Sequence, residues 1–211
     1  MSRDAILNRV RTALGRAAGA ATPEAPPVRI RIPETIADAR IASLLTRVEA
    51  LAGEAVRVDT PAAARAWVAA AIEGKQAVAS NAPFLAECGI PELAGVRCGL
   101  TVESELRGLC AVAGVGITSA DYALADTGTL VMLSSPREAR LISLLPPAHI
   151  AVVPSGRILS GLDELFATIP LPAGETSSMV LITGPSRTAD IEQILVRGVH
   201  GPGKLAVVVV G

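Results

Sequence analysis

Short apolar, β-branched runs alternate with helical patterns from residue 55 to residue 210, and this alternation constrains the fold more than any other feature. The runs predict strands at 55–58, 76–80, 96–100, 112–117, 129–133, 149–153, 179–183 and 205–210. Helical patterns lie between them at 61–73, 102–110, 136–145, 157–168 and 188–197. Several runs are continuously apolar, as strands covered on both faces must be. The sequence therefore predicts an α/β layered domain with a mostly parallel sheet.

The first part of the chain has a different pattern and predicts an N-terminal helical arm. Residues 2–14 have the spacing of a short amphipathic helix with Ser2 as its N-cap. Residues 15–33 are rich in Gly, Ala and Pro, which is typical of an extended connector. A second helix is predicted over 35–52. We therefore divide the chain into an arm with a Pro-rich connector (1–52) and an α/β core domain (53–211).

Composition and charge exclude several classes of protein. Apolar residues make up 50 % of the 211 residues, which is enough for a sizeable core. A net charge of −1 and an aromatic content of 2 % argue against a nucleic-acid binder. The N-terminus has no apolar signal segment, and the longest apolar run, 205–210, is too short to span a bilayer. We therefore expect a soluble cytoplasmic protein without membrane insertion.

The candidate functional residues are small hydroxyl residues, glycines, acids and histidines that concentrate in a few loops. In an open parallel sheet, ligands bind beyond the carboxyl ends of the strands. Asp126 and His200 are the candidates for acid–base catalysis. The residues expected to shape a substrate pocket are Thr118, Asp121, Thr127, Gly128, His149, Gly184, Ser186, Thr188, Asp190 and Gly201.

Each of these residues also has a purely structural interpretation. Asp126 could cap a turn, and Asp190 stands in the first turn of a predicted helix, where the helix dipole favours an acid. His149 could be a histidine at a strand edge that bonds to backbone. Arg137 and Arg140 fall on a predicted helix. The sequence does not decide whether they form ion pairs on the surface or bind an anionic ligand together.

Known cofactor motifs are absent. Residues 198–204 spell G-x-x-x-x-G-K, but Leu205 replaces the magnesium-binding hydroxyl and the loop precedes a strand, so this is no P-loop. No G-x-G-x-x-G follows a predicted strand, and G-x-S-x-G does not occur. Two distant histidines predict no metal site. Cys88, Cys98 and Cys110 are too few and too widely spaced for a disulfide framework or an iron–sulfur cluster.

Five segments, taken in order, resemble the lactate-utilization (LUD) domain family, in particular its lactate utilization protein C type. They read GITSAD, ADTGTLV, SLLP followed by HI, GPSRTADIE and GVHGP, at 116–121, 125–131, 143–150, 184–192 and 198–202. The resemblance covers residues 54–211. It implies a three-layer Rossmann-like α/β sandwich similar to sugar-phosphate isomerases and CoA transferases. Many members have Glu where this chain has Asp126, so its carboxylate reaches one methylene less far.

The resemblance also implies a function. We expect a subunit of a cytoplasmic L-lactate utilisation system that oxidises L-lactate to pyruvate together with two iron–sulfur partner proteins. This chain would carry no iron–sulfur cluster, and its cofactor stays undefined. Its crevice would bind a small carboxylate or an acyl- or phosphate-bearing metabolite. The alternatives are a CoA-transferase-like or ligase-like enzyme with Asp126 as nucleophile, or a non-catalytic assembly module that docks through its arm. The sequence also leaves open whether the chain forms a homo-oligomer.

Overall fold

The architecture is taken from a computed structural model that describes residues 2–17, 19–20, 31–191 and 194–211, with backbone alone for 188–191 and 194–197. The helices are α1 (Arg3–Ala13), α2 (Ala37–Ala50), α3 (Pro61–Ala71), α4 (Pro83–Glu87), α5 (Glu103–Val112), α6 (Arg140–Leu144), α7 (Leu162–Thr168) and α8 (Pro172–Glu175). The first strands are β1 (Glu54–Val58), β2 (Ala77–Ala79), β3 (Val96–Arg97), β4 (Val115–Ser119), β5 (Tyr122–Leu124) and β6 (Thr129–Leu133). The remaining strands are β7 (Ala148–Pro154), β8 (Ile158–Leu159), β9 (Met179–Thr183), β10 (Arg187–Ile191), β11 (Ile194–Arg197) and β12 (Lys204–Val210).

The central layer is a six-stranded sheet in the order β1-β12-β7-β4-β2-β3, and all its pairings are parallel. The predicted mostly parallel sheet is thereby confirmed. β12 and β7 are interior strands of this sheet, and their apolar runs are buried on both faces. This is why these runs read as continuous rather than alternating hydrophobic stretches.

Helices α3 and α4 cover one face of this sheet. Thr60 accepts a hydrogen bond from the backbone N–H of Ala63 at 3.1 Å, and Pro61 occupies the first helical position. This is the predicted start of the helix. The fully buried Ala64 and Val68 of α3 belong to one cluster with every second residue of the central strands.

A second, four-stranded sheet covers the other face, in the order β8-β5-β6-β9. It meets the opposite set of side chains from β7 and β12, and α2 packs into the same cluster through Ile41, Leu44 and Val48. The sequence grouped α2 with the arm, but its apolar face is buried in the core. The molecule thus has three layers: helices, a parallel sheet, and a mixed sheet with α2.

Two predicted helices are wrong in whole or in part. Residues 188–191 and 194–197 belong to the antiparallel pair β10–β11 rather than to a helix, and 192–193 lie outside the described residues. The helix predicted at 157–168 begins only at Leu162, because 158–159 pair with β5 as the edge strand β8. In both places strand pairing overrides a local helical pattern.

Two further boundaries differ from the sequence prediction. Ser135-Pro136 does not start a helix: the Ser135 hydroxyl accepts hydrogen bonds from the N–H groups of Arg137 and Glu138, which forms a turn, and α6 begins at Arg140. The strand predicted from 112 begins at Val115, because α5 continues to Val112. Residues 21–30 of the predicted connector lie outside the described residues.

Candidate functional site

A cleft of about 450 Å³ opens where β4 and β7 reach their carboxyl ends. We call it the carboxyl-edge cleft. This is the edge at which parallel sheets bind ligands. Its walls are Ala82, Pro83, Phe84, Glu87, Ser119, Ala120, Asp121, Tyr122, Leu133, Ser135, Arg137, Glu138, Pro154 and Arg157.

Glu138 is a buried carboxyl group in this wall, with only 6 % of its surface exposed. The turn that begins at Ser135 places it there. The hydroxyl of Ser80, which follows the end of β2, donates a hydrogen bond to Glu138 Oε2 at 2.8 Å. The other oxygen, Oε1, is buried and has no hydrogen-bond partner within the part of the chain that the structure describes. A buried polar atom without a partner is unusual in a folded protein.

Burial raises the pKa of Glu138 to about 8. The hydrogen bond from Ser80 acts against this rise in pKa. The negative charge of Asp121 adds to the rise, and the nearby backbone of Ser119 opposes it. Most Glu138 side chains are therefore neutral acids at pH 7. Such a group can donate a proton, which an ordinary glutamate cannot do at that pH.

Asp121 is the second carboxyl group of the cleft and lies in a more polar environment. The backbone N–H of Leu133 donates to its Oδ2 at 2.6 Å. Burial raises the pKa of Asp121, while the Leu133 hydrogen bond and the positive charge of Arg157 oppose the rise. The Arg157 guanidinium lies 5.3 Å from the centre of the Tyr122 ring, and its Nη1 donates to the Tyr122 hydroxyl at 3.3 Å.

The charges of the cleft suit an anionic ligand once Glu138 is protonated. Arg137 and Arg157 supply two guanidinium groups, and Asp121 and Glu87 supply two carboxylates. A neutral Glu138 leaves these walls without net charge, so a bound carboxylate can pair with a guanidinium group without facing a net negative wall. Guanidinium groups are well shaped to bind carboxylates through two parallel hydrogen bonds.

A second pocket lies at the opposite edge of the parallel sheet. It has a volume of about 310 Å³ and brings together His149, Gly184, Ser186, His200 and Gly201 of the predicted pocket residues. We call it the amino-edge pocket, because the loop at 198–203 leads into the amino end of β12. Two backbone hydrogen bonds of Ser186 connect its loops: Ser186 N–H donates to Pro202 O at 2.8 Å, and Gly198 N–H donates to Ser186 O at 3.0 Å.

His149 forms the floor of the amino-edge pocket and is 1 % exposed. Its Nε2 lies 2.8 Å from the hydroxyl of the buried Thr118, whereas Nδ1 is buried without a partner among the described residues. The histidine therefore bonds to a side chain and not to the backbone. Burial lowers the pKa of His149 to about 4, so the ring is neutral at pH 7.

Asp126, Thr127 and Gly128 form the turn between β5 and β6, away from both sites. Asp126 is exposed, accepts a hydrogen bond from Thr127 at 3.1 Å, and lines a small cleft of about 240 Å³ with Arg31 and Gly161. Gly128 has φ +70° and lies against Arg47 and Val48 of α2, so a side chain would not fit there.

The structure thus distributes the predicted residues over several places. Asp126 and His200, predicted as the acid–base pair, line different pockets. Asp121 alone of the predicted set lines the carboxyl-edge cleft. Thr188 and Asp190 lie on β10, and their side chains are outside the described part. Groups of three or more potential metal ligands do not occur among the described residues.

Sequence reasoning missed Glu138, Ser80 and Arg157. A signal for Glu138 was present: the polar segment Ser134-Ser135-Pro136-Arg137-Glu138 follows directly after the apolar run 129–133. Arg137 was assigned to a helix, but it lies on the turn and reaches the cleft wall. The burial of Glu138 and its bond to Ser80, 58 positions away, have no local signal.

Comparisons with known proteins find one matching family model, the LUD domain, over residues 41–210. The lactate utilization protein C of Halalkalibacterium halodurans is 43 % identical over 102 residues, which cover 46 % of this chain and 44 % of that protein. The protein of the same name from Bacillus subtilis (strain 168) is 44 % identical over 102 residues, covering 46 % of this chain and 42 % of that protein. The matched segments thus span less than half of these curated relatives.

Among solved structures, the chain is similar to the crystal structure of a DUF162 family protein from Deinococcus radiodurans. The TM-score is 0.63 at 20 % sequence identity, and the match covers 84 % of this chain and 99 % of that chain. This similarity concerns the fold. In the described residues, no helix has the length and apolar character needed to cross a membrane.

Proposed function

Because the chain belongs to the LUD domain family, we propose that it is a subunit of a lactate-utilization system and binds a small 2-hydroxy or 2-oxo acid in its carboxyl-edge cleft. The names of the relatives support the pathway. The cleft supports the ligand class, because it combines two guanidinium groups with a neutral acid in a volume that suits a small molecule.

Glu138 is the observation that carries the choice of this cleft. A glutamate that is 94 % buried costs stability when it ionises, and its Oε1 is left without a partner among the described atoms. In its neutral form Glu138 adds no third negative charge to the wall of the cleft. The carboxylate of a bound acid would bind Arg157, which lines the same cleft and acts electrostatically on Asp121.

Titration calorimetry and thermal unfolding with L-lactate and with pyruvate test the proposal. Ligand at 100 times its dissociation constant should raise the free energy of unfolding by about 2.7 kcal/mol. Arg157→Gln should weaken binding by about tenfold or more, because hydrogen bonds to charged groups contribute about 1.5–3 kcal/mol. Glu49→Gln removes an exposed carboxylate at the end of α2, outside the cleft, and is the matched control, with binding unchanged. Absence of binding by both acids would refute the proposal.

The amino-edge pocket is a second candidate for the same ligand, because it gathers five of the predicted residues. One of them is His149, whose Nδ1 has no partner among the described residues. His200 stays a proposed acid–base residue on this alternative, and Asp126 stays one at the separate cleft that it lines. His200→Ala and Arg157→Gln separate the two sites. Loss of ligand stabilisation in His200→Ala, with Arg157→Gln unaffected, would place the ligand in the amino-edge pocket. A transfer reaction that survives Asp126→Asn would exclude a nucleophilic role for that residue.

We further propose that oxidation of L-lactate to pyruvate requires two iron–sulfur partner proteins in the cytoplasm, which this chain assists without carrying a cluster. Co-purification of the three proteins tests this.

The alternative, a non-catalytic assembly module, is favoured by α1, on which Ile6, Val10 and Leu14 are exposed. In that case, removal of residues 1–33 should abolish complex formation while the core stays folded. Normal growth on lactate after clean deletion of the gene would refute the lactate assignment.

A further inference from the structure

We propose that α1 is a peripheral membrane anchor, which lies on an anionic lipid surface with its apolar face among the acyl chains and its arginines at the phosphates. Three features of the chain support this role: the exposed apolar face of α1, the positions of its arginines, and the division of charge between the arm and the core. Ligand binding in the pockets is independent of it.

The apolar face of α1 is exposed. Ser2 begins the helix by accepting a hydrogen bond from the backbone N–H of Ala5 at 3.3 Å. Ile6, Val10 and Leu14 follow at four-residue spacing, which places them on one side of the helix. These three residues are 51 %, 50 % and 64 % exposed, and the described part of the chain buries none of the 11 residues of α1. An apolar face of this kind is suited to a surface that the core does not supply.

Arginines lie on both borders of this apolar face. Arg9 and Arg11 flank Val10 in the chain, so they lie about 100° to either side of it on the helix, whereas Asn8 and Thr12 lie about 160° away on the opposite face. The guanidinium of Arg11 lies toward the polar side, where its Nη1 donates to Asn8 Oδ1 at 3.3 Å. Arginines at such borders can place their apolar stems against the acyl chains and their charged ends among the headgroups. This arrangement is typical of helices that lie in a membrane interface.

Charge is divided unevenly between the arm and the rest of the chain. Residues 1–33 contain six arginines and two acidic residues, which gives a formal charge of +4. The whole chain has a net charge of −1, so residues 34–211 carry −5. An anionic lipid surface attracts the arm and repels the rest of the chain. This division favours attachment through the arm alone.

The signs of the charges on α1 favour lipid over a partner helix. Helices that pair with another helix commonly carry both signs beside their apolar seam, because these charges select the partner. Both borders of the apolar face of α1 carry arginine, and Asp4 is the single acidic residue of the helix. With 11 residues, α1 is about 16 Å long, which is shorter than the hydrocarbon core of about 30 Å, so it would lie in the plane of the surface.

Flotation of the full chain with lipid vesicles tests the proposal. We expect binding to vesicles of equal parts phosphatidylglycerol and phosphatidylcholine, no binding to phosphatidylcholine alone, and release at high salt. The double variant Arg9→Gln/Arg11→Gln should bind about 30-fold more weakly, because each arginine near an anionic surface contributes about a factor of five. Arg9→Lys/Arg11→Lys keeps both charges and is the matched control, with binding unchanged.

A second pair of variants tests the apolar face. Val10→Asn should weaken vesicle binding about tenfold or more, because a buried valine is replaced by a polar side chain. Thr12→Asn introduces the same side chain on the opposite face and should leave binding unchanged. Neither residue is buried in the protein, so both variants should unfold at the wild-type temperature, which separates lost binding from lost folding.

Several results would overturn the membrane anchor. Absence of binding to the anionic vesicles, or equal binding to the neutral ones, would refute it. Wild-type binding by Arg9→Gln/Arg11→Gln or by Val10→Asn would also refute it. A dimer in light scattering that Val10→Asn dissociates, without vesicle binding, would assign the apolar face to a second copy of the chain instead. Binding of lactate and pyruvate is measured without vesicles, so this anchor and the proposed function can fail independently.

Discussion

Replacing Glu138 with glutamine should abolish most of the change in folding stability between pH 6.5 and 8.0. In the unfolded chain the carboxyl group has its ordinary pKa of 4.5 and is ionised throughout this range, whereas in the folded protein its pKa is about 8. The folded state therefore binds more protons than the unfolded state. Under this condition the free energy of unfolding falls as the pH rises.

The magnitude follows from these two pKa values. Between pH 6.5 and 8.0 the wild type should lose about 1.6 kcal/mol of stability from this one group. The window is chosen because other buried groups act mainly outside it. His149, with a pKa lowered from 6.5 to about 4, has the opposite sign and acts mainly below pH 6.5, with about 0.4 kcal/mol of stability gained inside the window. Cys88 and Cys110, whose pKa values burial raises from 9.0, act at higher pH.

Urea denaturation at four pH values across this window measures the effect. Glutamine keeps the volume of the side chain and still accepts the hydrogen bond from Ser80, so Glu138→Gln should show a nearly constant midpoint and an unchanged slope. Glu87→Gln, at an exposed position on the same rim, should lose stability like the wild type. If the stabilities of the wild type and Glu138→Gln changed with pH in the same way, Glu138 would not be a buried neutral acid. The choice of the carboxyl-edge cleft as the ligand site would then lose its basis.

Three further predictions concern the scaffold. Gly116→Ala should lower the free energy of unfolding by about 3 kcal/mol or more, because its Cβ would lie 1.9 Å from the backbone oxygen of Ile142. Gly108→Ala, in open space on α5, should instead raise it by about 0.5–1 kcal/mol. Thermal unfolding of the two variants compares these effects. The wild type should lose about 2 kcal/mol of stability from His149 as the pH falls from 6.5 to 4.5, because this ring binds a proton in the unfolded chain but not in the folded protein. His149→Gln should not show this loss. Urea titrations of the two proteins at both pH values measure the difference. Deletion of residues 1–33 should leave the melting temperature unchanged, whereas deletion of 1–52 removes α2 and its three buried side chains and should unfold the core; a folded 1–52 deletion would contradict this packing.

Most of the central sheet could be predicted from the sequence because its signals are local. A continuous apolar run such as 205–210 fits only a strand covered on both faces, and Thr60-Pro61 fixes the start of α3 through its own hydrogen bond. The division of strands between two sheets is not local. Residues 129–133 and 179–183 are both strands as predicted, but their antiparallel pairing in a second sheet depends on contacts about 50 positions apart.

The same distinction explains what was missed in the candidate site. Asp121 could be found because it lies in the loop just after a predicted strand. Glu138 also lies in a polar segment after a strand, but Ser135-Pro136 favours a helix start, and only the completed fold shows that Ser135 forms a turn there. The burial that makes Glu138 an acid comes from the ends of β2 and β4, which are far away in the chain. Chemistry that depends on desolvation is a property of the packed molecule.

The amino-edge pocket and the carboxyl-edge cleft lie at opposite ends of β7, so the two sites can be tested separately. β7 begins beside the amino-edge pocket with His149 and ends at the carboxyl-edge cleft with Pro154. Five residues of extended chain separate them by about 16 Å, at about 3.3 Å per residue. A molecule of the size of pyruvate cannot contact both sites, and substitutions this far apart should have additive effects on stability. A ligand whose binding depends on both Arg157 and His200 would therefore have to be an extended molecule, and neither lactate nor pyruvate.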